Sequence, residues 1–270
     1  YIEKRIKVIL TRVLCSLFVF CASNFGWAQV VINEICAANA DLAYDPQFYN
    51  FSGWVEIYNP TAATVDVSNY FLSDSETELK WQFPIGTTIA ANGFLIIWCD
   101  KKNTGLHTNF NLDSDGEVLV LADAGQVQLD KIVFPKQYTN VSYGRLTDGG
   151  NVIGYMTTPT LSAQNNNATG TEQLVNPIAS VSSGRYETNQ LVVLSHVNPG
   201  ASIRYTTDGS EPMPTSVLYT GAISITKTTT LKAKAFAPGF IPSKSEVKTY
   251  FIDEHTFTLP VVSISTNPSY

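Results

Sequence analysis

Short runs of β-branched and aromatic residues, each closed by turn residues, recur along nearly the whole chain, and this constrains the fold more than any other feature. In the first half the runs fall at 30–36, 54–58, 65–72, 94–98, 118–122 and 131–134. Between them stand Asn59 and Pro60, Asn92 and Gly93, Asp115 and Gly116, and Ala124 and Gly125. Gly and Asn accept the backbone angles that tight turns need, so these pairs punctuate strands rather than helices. Beyond residue 28, no window of eleven or more residues carries a convincing apolar period of 3.6. Short strands at this spacing build a sandwich or barrel, not a parallel sheet with crossover helices.

Past residue 148 the texture changes. Asp148, Gly149 and Gly150, then the polar run at 164–167, offer little to bury, so residues 148–175 read as a loosely packed linker. A second set of runs follows at 178–181, 190–194, 202–206, 222–225, 229–236 and 246–252. Thr230, Lys232 and Lys234 alternate with Leu231, Ala233 and Ala235, as a half-buried antiparallel strand requires. Asp208 and Gly209 form a tight-turn signal. A span of this size suffices for a small sandwich with a modest core.

Residues 1–28 are of another kind. Lys4, Arg5, Lys7 and Arg12 precede the apolar run at 13–22, and Gly26 and Ala28 supply small residues after it. That is the secretory signal pattern, with cleavage expected between Ala28 and Gln29. The apolar run is about half the ~20 residues that a membrane span needs, so no stable transmembrane segment is expected in the mature chain. The chain begins at Tyr1 and stops at Tyr270, and reads as truncated at both ends.

The net charge is −6, while residues 1–28 carry +3, which leaves the body at −9. Such a body is a poor partner for nucleic acid, whose phosphates call for Lys/Arg stripes, and for anionic membrane surfaces. Export also bears on Cys36 and Cys99, the two cysteines beyond the leader. They can pair in an oxidising compartment or stay reduced as small buried residues; the sequence leaves both open.

No catalytic constellation stands out. His107, His196 and His255 lie far apart in sequence, and no metal-ligand spacing joins them to the cysteines, so neither a metal nor another cofactor is expected. Asp113, Asp115 and Glu117 surround Gly116, but Val118 resumes a strand at once, which suits a turn better than a calcium loop. Ser195 and His196 are adjacent on a strand and point to opposite faces. Glu34 and Glu56 sit within strands, with no nucleophile or positioned base in either string, and read as hydrogen-bonding framework. The aromatics Trp54, Tyr58 and Trp81 are the candidate ligand contacts, since aromatic faces stack on sugars. Trp54, Glu56 and Tyr58 share one strand face, with Val55 and Ile57 on the other, so the mixed face is where an exposed patch is expected.

The strings VINEI at 31–35, WVEIYNP at 54–60, NYFLSD at 69–74, the run at 81–98, LDSDGEVLVLADAGQ at 112–126 and VSYGR at 141–145 resemble the lamin-tail domain, an immunoglobulin-like sandwich. IRYTTDGSEP at 203–212, YTGAISI at 219–225 and TLKAKAFAPGFIPS at 230–243 resemble the small C-terminal domain of chitobiases and β-hexosaminidases, without the catalytic barrel of those enzymes. LPVVSISTNPSY at 259–270 is similar to the opening strand of the CotH spore-coat kinase family. Together these imply an all-β chain with two immunoglobulin-like sandwiches in tandem after a signal peptide. The plan is a leader at 1–28, a lamin-tail-like sandwich at 29–147, a linker at 148–175, a chitobiase-type sandwich at 176–252, and the start of a further domain at 253–270. The expected role is a non-catalytic binding or spacer region of a secreted or cell-surface bacterial protein. Its expected partners are a surface glycan or protein and the downstream domain of the same polypeptide. Two alternatives stay open: the front part of a CotH-type phosphotransferase, whose catalytic domain would lie past residue 270, and a carbohydrate-binding module of a glycan-processing protein.

Overall fold

The computed structural model describes residues 30–166, 169–254 and 262–264. The expected leader, with its cleavage point at Ala28 and Gln29, lies outside these residues, as does most of the 259–270 string. Every regular element among the described residues is a β-strand.

In the first module a five-stranded antiparallel sheet runs in the order Ile153–Met156, Ser142–Arg145, Val31–Cys36, Gly53–Tyr58, Phe94–Cys99. Facing it, a four-stranded sheet runs Trp81–Gln82, Phe71–Ser73, Glu117–Ala122, Gln128–Phe134. The expected run at 65–72 is interrupted. Val65–Asp66 pairs with Thr88–Ile89, and Asn69, at φ 62°, turns the chain before Phe71. Between the sheets lies one apolar core, including Ile32, Ile35, Val55, Ile57, Ile97, Leu119, Leu121 and Phe134. Its area removed from water is the main stabilising contribution to the module.

The Val31–Cys36 strand departs from strict alternation. Its register against the neighbouring strand shifts between Ile32 and Glu34, so Asn33 is an extra, bulged residue. The bulge keeps Ile32 and Ile35 on the core side and places Asn33 beside Glu34 on the other. Gly144 is paired opposite Glu34, where a Cβ would lie 2.2 Å from the Asn33 carbonyl oxygen. Only glycine fits at that position.

The second module has a five-stranded sheet in the order Gly184–Tyr186, Glu246–Ile252, Thr229–Phe236, Ser202–Thr206, Val217–Leu218. The first pair is parallel and the rest antiparallel. Two short pairs, Gln190–Val192 with Ile223–Ile225 and Ile178–Ala179 with Leu194–Ser195, accompany it. The core includes Val192, Ile223, Ile225, Leu231, Ala233 and Tyr250. On the Thr229–Phe236 strand the alternation holds at Leu231, Ala233 and Ala235, but Lys234 is also buried, with its Nζ 3.3 Å from Glu211.

Where a loose linker was expected, residues 148–166 are built into the first module. Ile153–Met156 pairs along its full length with Ser142–Arg145. The N–H groups of Thr160 and Ser162 then donate to Glu34 and Glu56 of the sheet, and that of Asn165 to Asp148. These residues have little apolar surface, and the segment is held by polar contacts instead. Farther on, Gly170–Gln173 pairs in parallel with Gly239–Ile241 of the second module.

Candidate functional site

The outer face of the five-stranded sheet, where an exposed aromatic patch was expected, is covered. Trp54 is 0% exposed and packs in a satellite core with Cys36, Ala43 and Trp98, against which Leu42 and Leu161 also pack. Trp81 is on the opposite side of the module, buried in the main core with its ring centroid 4.9 Å from that of Phe83. Tyr58 is half-buried, its ring 5.1 Å from that of Phe94. Trp54 and Trp81 are therefore packing residues, and the three candidates form no shared platform. The aliphatic face of that strand, Val55 and Ile57, is core as expected.

Cys36 and Cys99 are free and buried. Cys36 points into the satellite core and Cys99 into the main one. The Gly53–Tyr58 strand runs between theirs, with Trp54 opposite Cys36 and Gly53 opposite Cys99. Two strand spacings, about 9.6 Å, separate the strands, beyond the ~7 Å Cα limit for a disulfide. Burial pushes both thiols well above their usual range.

Glu34 and Glu56 are cross-strand partners, and neither is exposed to solvent. Asn33 Nδ2 donates to Glu56 Oε1 at 3.0 Å and to Asp148 Oδ1 at 3.1 Å. Ser142 Oγ donates to Glu34 at 2.5 Å, the Thr160 N–H to Glu34 at 3.1 Å, and the Ser162 N–H to Glu56 at 2.6 Å. Burial raises Glu34 above the usual carboxylate range and pushes Glu56 up to about 7; these hydrogen bonds pull the other way. Nearby, Arg145 grips Asp130 with two bonds of 2.9 Å and donates to the Ile32 carbonyl. The carboxylates hold the 160–165 segment against the sheet.

One polar cluster was not legible from spacing. Asp45, Asp100 and His107 bring one ligand-type atom each to within 4.8 Å of one another. Asp45 sits in the loop after the first strand, Asp100 just past the Phe94–Cys99 strand, and His107 in the following loop. A parallel bridge between Trp98 and His107 returns that loop to the sheet.

A cleft of about 950 Å³ lies where the two modules meet. Lys136, Gln137 and Tyr138 line it from the first module, and Lys232, Lys234 and Lys244 from the second. Asp41 and Glu211 are its two carboxylates. Gln137 is 4% exposed, and its Oε1 has no hydrogen-bond partner among the described residues. Tyr138, Tyr143 and Tyr155 stack edge to face behind it, with centroids 5.3 and 5.1 Å apart. Lys232 and Lys244 make no ion pair among the described residues.

Comparison with known families agrees with both sandwiches. Residues 26–136 match the Lamin Tail Domain, and residues 181–249 match the Chitobiase/beta-hexosaminidase C-terminal domain. No curated protein matches the chain. Both families are immunoglobulin-like accessory domains. The chain thus matches a Lamin Tail Domain and then a Chitobiase/beta-hexosaminidase C-terminal domain, each over part of its length.

Proposed function

We propose that this chain is the non-catalytic binding region of an exported bacterial protein, and that it takes an acidic glycan in the cleft between its modules. The carrying observation is a cleft lined by four lysines against two carboxylates. Ammonium groups suit carboxylate or sulfate substituents. Tyr138 adds an aromatic surface suited to the C–H faces of a sugar ring. The body of the protein is otherwise acidic, so the cleft is a local exception to a surface that would repel such a ligand. Two rigid sandwiches would also space a neighbouring domain from the cell surface.

The test is a glycan array read with the chain from Gln29 onward. The expected result is retention of uronic or sulfated oligosaccharides, falling with salt and reduced at least tenfold in Lys232→Ala/Lys244→Ala. Binding that is indifferent to those substitutions, or no binding to any glycan, would overturn this reading.

A further inference from the structure

We propose that Asp45, Asp100 and His107 are the three protein ligands of a site for a zinc-type divalent cation, with a solvent molecule completing the tetrahedron. His107 is almost fully buried, and each ring nitrogen faces an oxygen: Nδ1 lies 3.0 Å from Asp100 Oδ2, and Nε2 lies 3.2 Å from Gln47 Oε1. A metal on Nδ1 would stand between the ring and the Asp100 carboxylate, with the Nε2–H donating to the Gln47 amide oxygen. That is the arrangement of a metal-bound histidine: one nitrogen on the metal, the other N–H fixed by an outer oxygen.

The second carboxylate points the same way. Asp45 is fully buried and makes no ion pair among the described residues; its oxygens accept only from the N–H groups of Gln47 at 2.8 Å and Phe48 at 3.3 Å. Asp100 is paired with His107 alone, and its other oxygen accepts from the Lys102 N–H at 3.1 Å. Each carboxylate keeps a lone pair free. Two buried anionic side chains this close are costly without a compensating charge. Zinc bonds of about 2.0–2.2 Å to N and O place neighbouring ligand atoms roughly 3.3 Å apart in a tetrahedron. The Asp100–His107 separation already fits, and the 4.8 Å spread needs Asp45 to close by little over an ångström. An imidazole ligand favours zinc over calcium or magnesium.

Asp100 also lines a depression of about 290 Å³ with Asn50, Ser52 and Lys102. Phe48 caps the ring edge-on at 4.8 Å, and Lys102 Nζ lies 5.1 Å from the Phe48 centroid. A bound ion would pin the Asp45 loop to the loop that follows the Phe94–Cys99 strand, over the satellite core of Cys36, Trp54 and Trp98. The site is independent of the glycan cleft.

The test uses the full chain, first stripped with chelator. Zn²⁺ should bind one to one and, at about one hundred times its Kd, raise Tm by roughly 5–10 °C. Co²⁺ should give the visible absorption of a tetrahedral site. His107→Gln and Asp45→Asn should each lose both signals while keeping the metal-free Tm of the stripped wild type. Should either variant fail to fold, the wild-type zinc titration and cobalt spectrum still decide. No saturable zinc binding by the wild type would overturn the proposal. So would binding that survives both substitutions, or a Tm raised by Ca²⁺ and not by Zn²⁺.

Discussion

Glu34 and Glu56 stand directly opposite one another on adjacent strands, both sealed from solvent. Glu56 titrates near 7 in the folded protein against about 4.5 ordinarily. The folded chain therefore holds this proton more tightly than the unfolded chain does. The resulting stabilisation is complete below about pH 4.5 and is lost as pH rises through about 7. Glu34 is shifted in the same direction, also by burial, and Asp148 adds to the negative charge around both. The first module should unfold more readily at pH 8 than at pH 5.5, by on the order of 2–3 kcal/mol. Glu56→Gln mimics the protonated side chain. Denaturant midpoints across that range should be flatter in this variant than in the wild type, and parallel profiles would show that the carboxylate does not set the dependence.

Gly144→Ala places its new methyl 2.2 Å from the Asn33 oxygen and 2.9 Å from the Glu34 Cα. Both neighbours are backbone held in the sheet, so the strand must move. A loss of about 3 kcal/mol or more is expected, the upper end for overpacking. Gly221→Ala is the control: a Cβ there meets nothing within 4 Å, and the change should be within about 0.5 kcal/mol. Equal urea midpoints for the two variants would contradict the account of the bulge.

How much of this was legible varied with how local the cause was. Thr229–Phe236 and Glu246–Ile252 declare themselves by alternation, because each buries one face against neighbours of ordinary pattern. Ser142–Arg145 does not, since SYGR has little apolar content. It is buried because Ser142 meets Glu34, Gly144 fits the bulge and Arg145 reaches Asp130. The 148–166 segment was misread for the same reason: polar residues that look solvated are bound to buried carboxylates. Burial of the Trp54 face depends on the loops laid over it, which no strand pattern reports. The Asp45, Asp100 and His107 cluster draws on two loops far apart in sequence, and only the completed fold brings them together.

The two cysteines should behave as inert core residues. The native chain from Gln29 onward should resist a thiol reagent, and unfolding it without reductant should expose two reactive thiols. Reductant should leave Tm unchanged. One disulfide recovered from the unfolded, unreduced chain would contradict the placement of Cys36 and Cys99 on opposite faces.

Trp54 separates packing from recognition. In the satellite core it touches Cys36, Ala43 and Trp98, and it contributes no exposed surface. Trp54→Ala should therefore cost about 3–5 kcal/mol, the range for deleting a buried aromatic. Tyr138 is half-buried at the cleft and belongs to neither apolar core. Tyr138→Ala should cost well under half as much stability while weakening retention of acidic glycans. Measuring urea midpoints and array signal on both variants gives a crossed result: Trp54→Ala alters the midpoint and, where folded, leaves the signal, whereas Tyr138→Ala alters the signal and largely spares the midpoint. If Trp54→Ala kept its midpoint and lost the signal, the outer face of the first sheet would be the binding surface, and the loops covering it would have to open to admit the ligand.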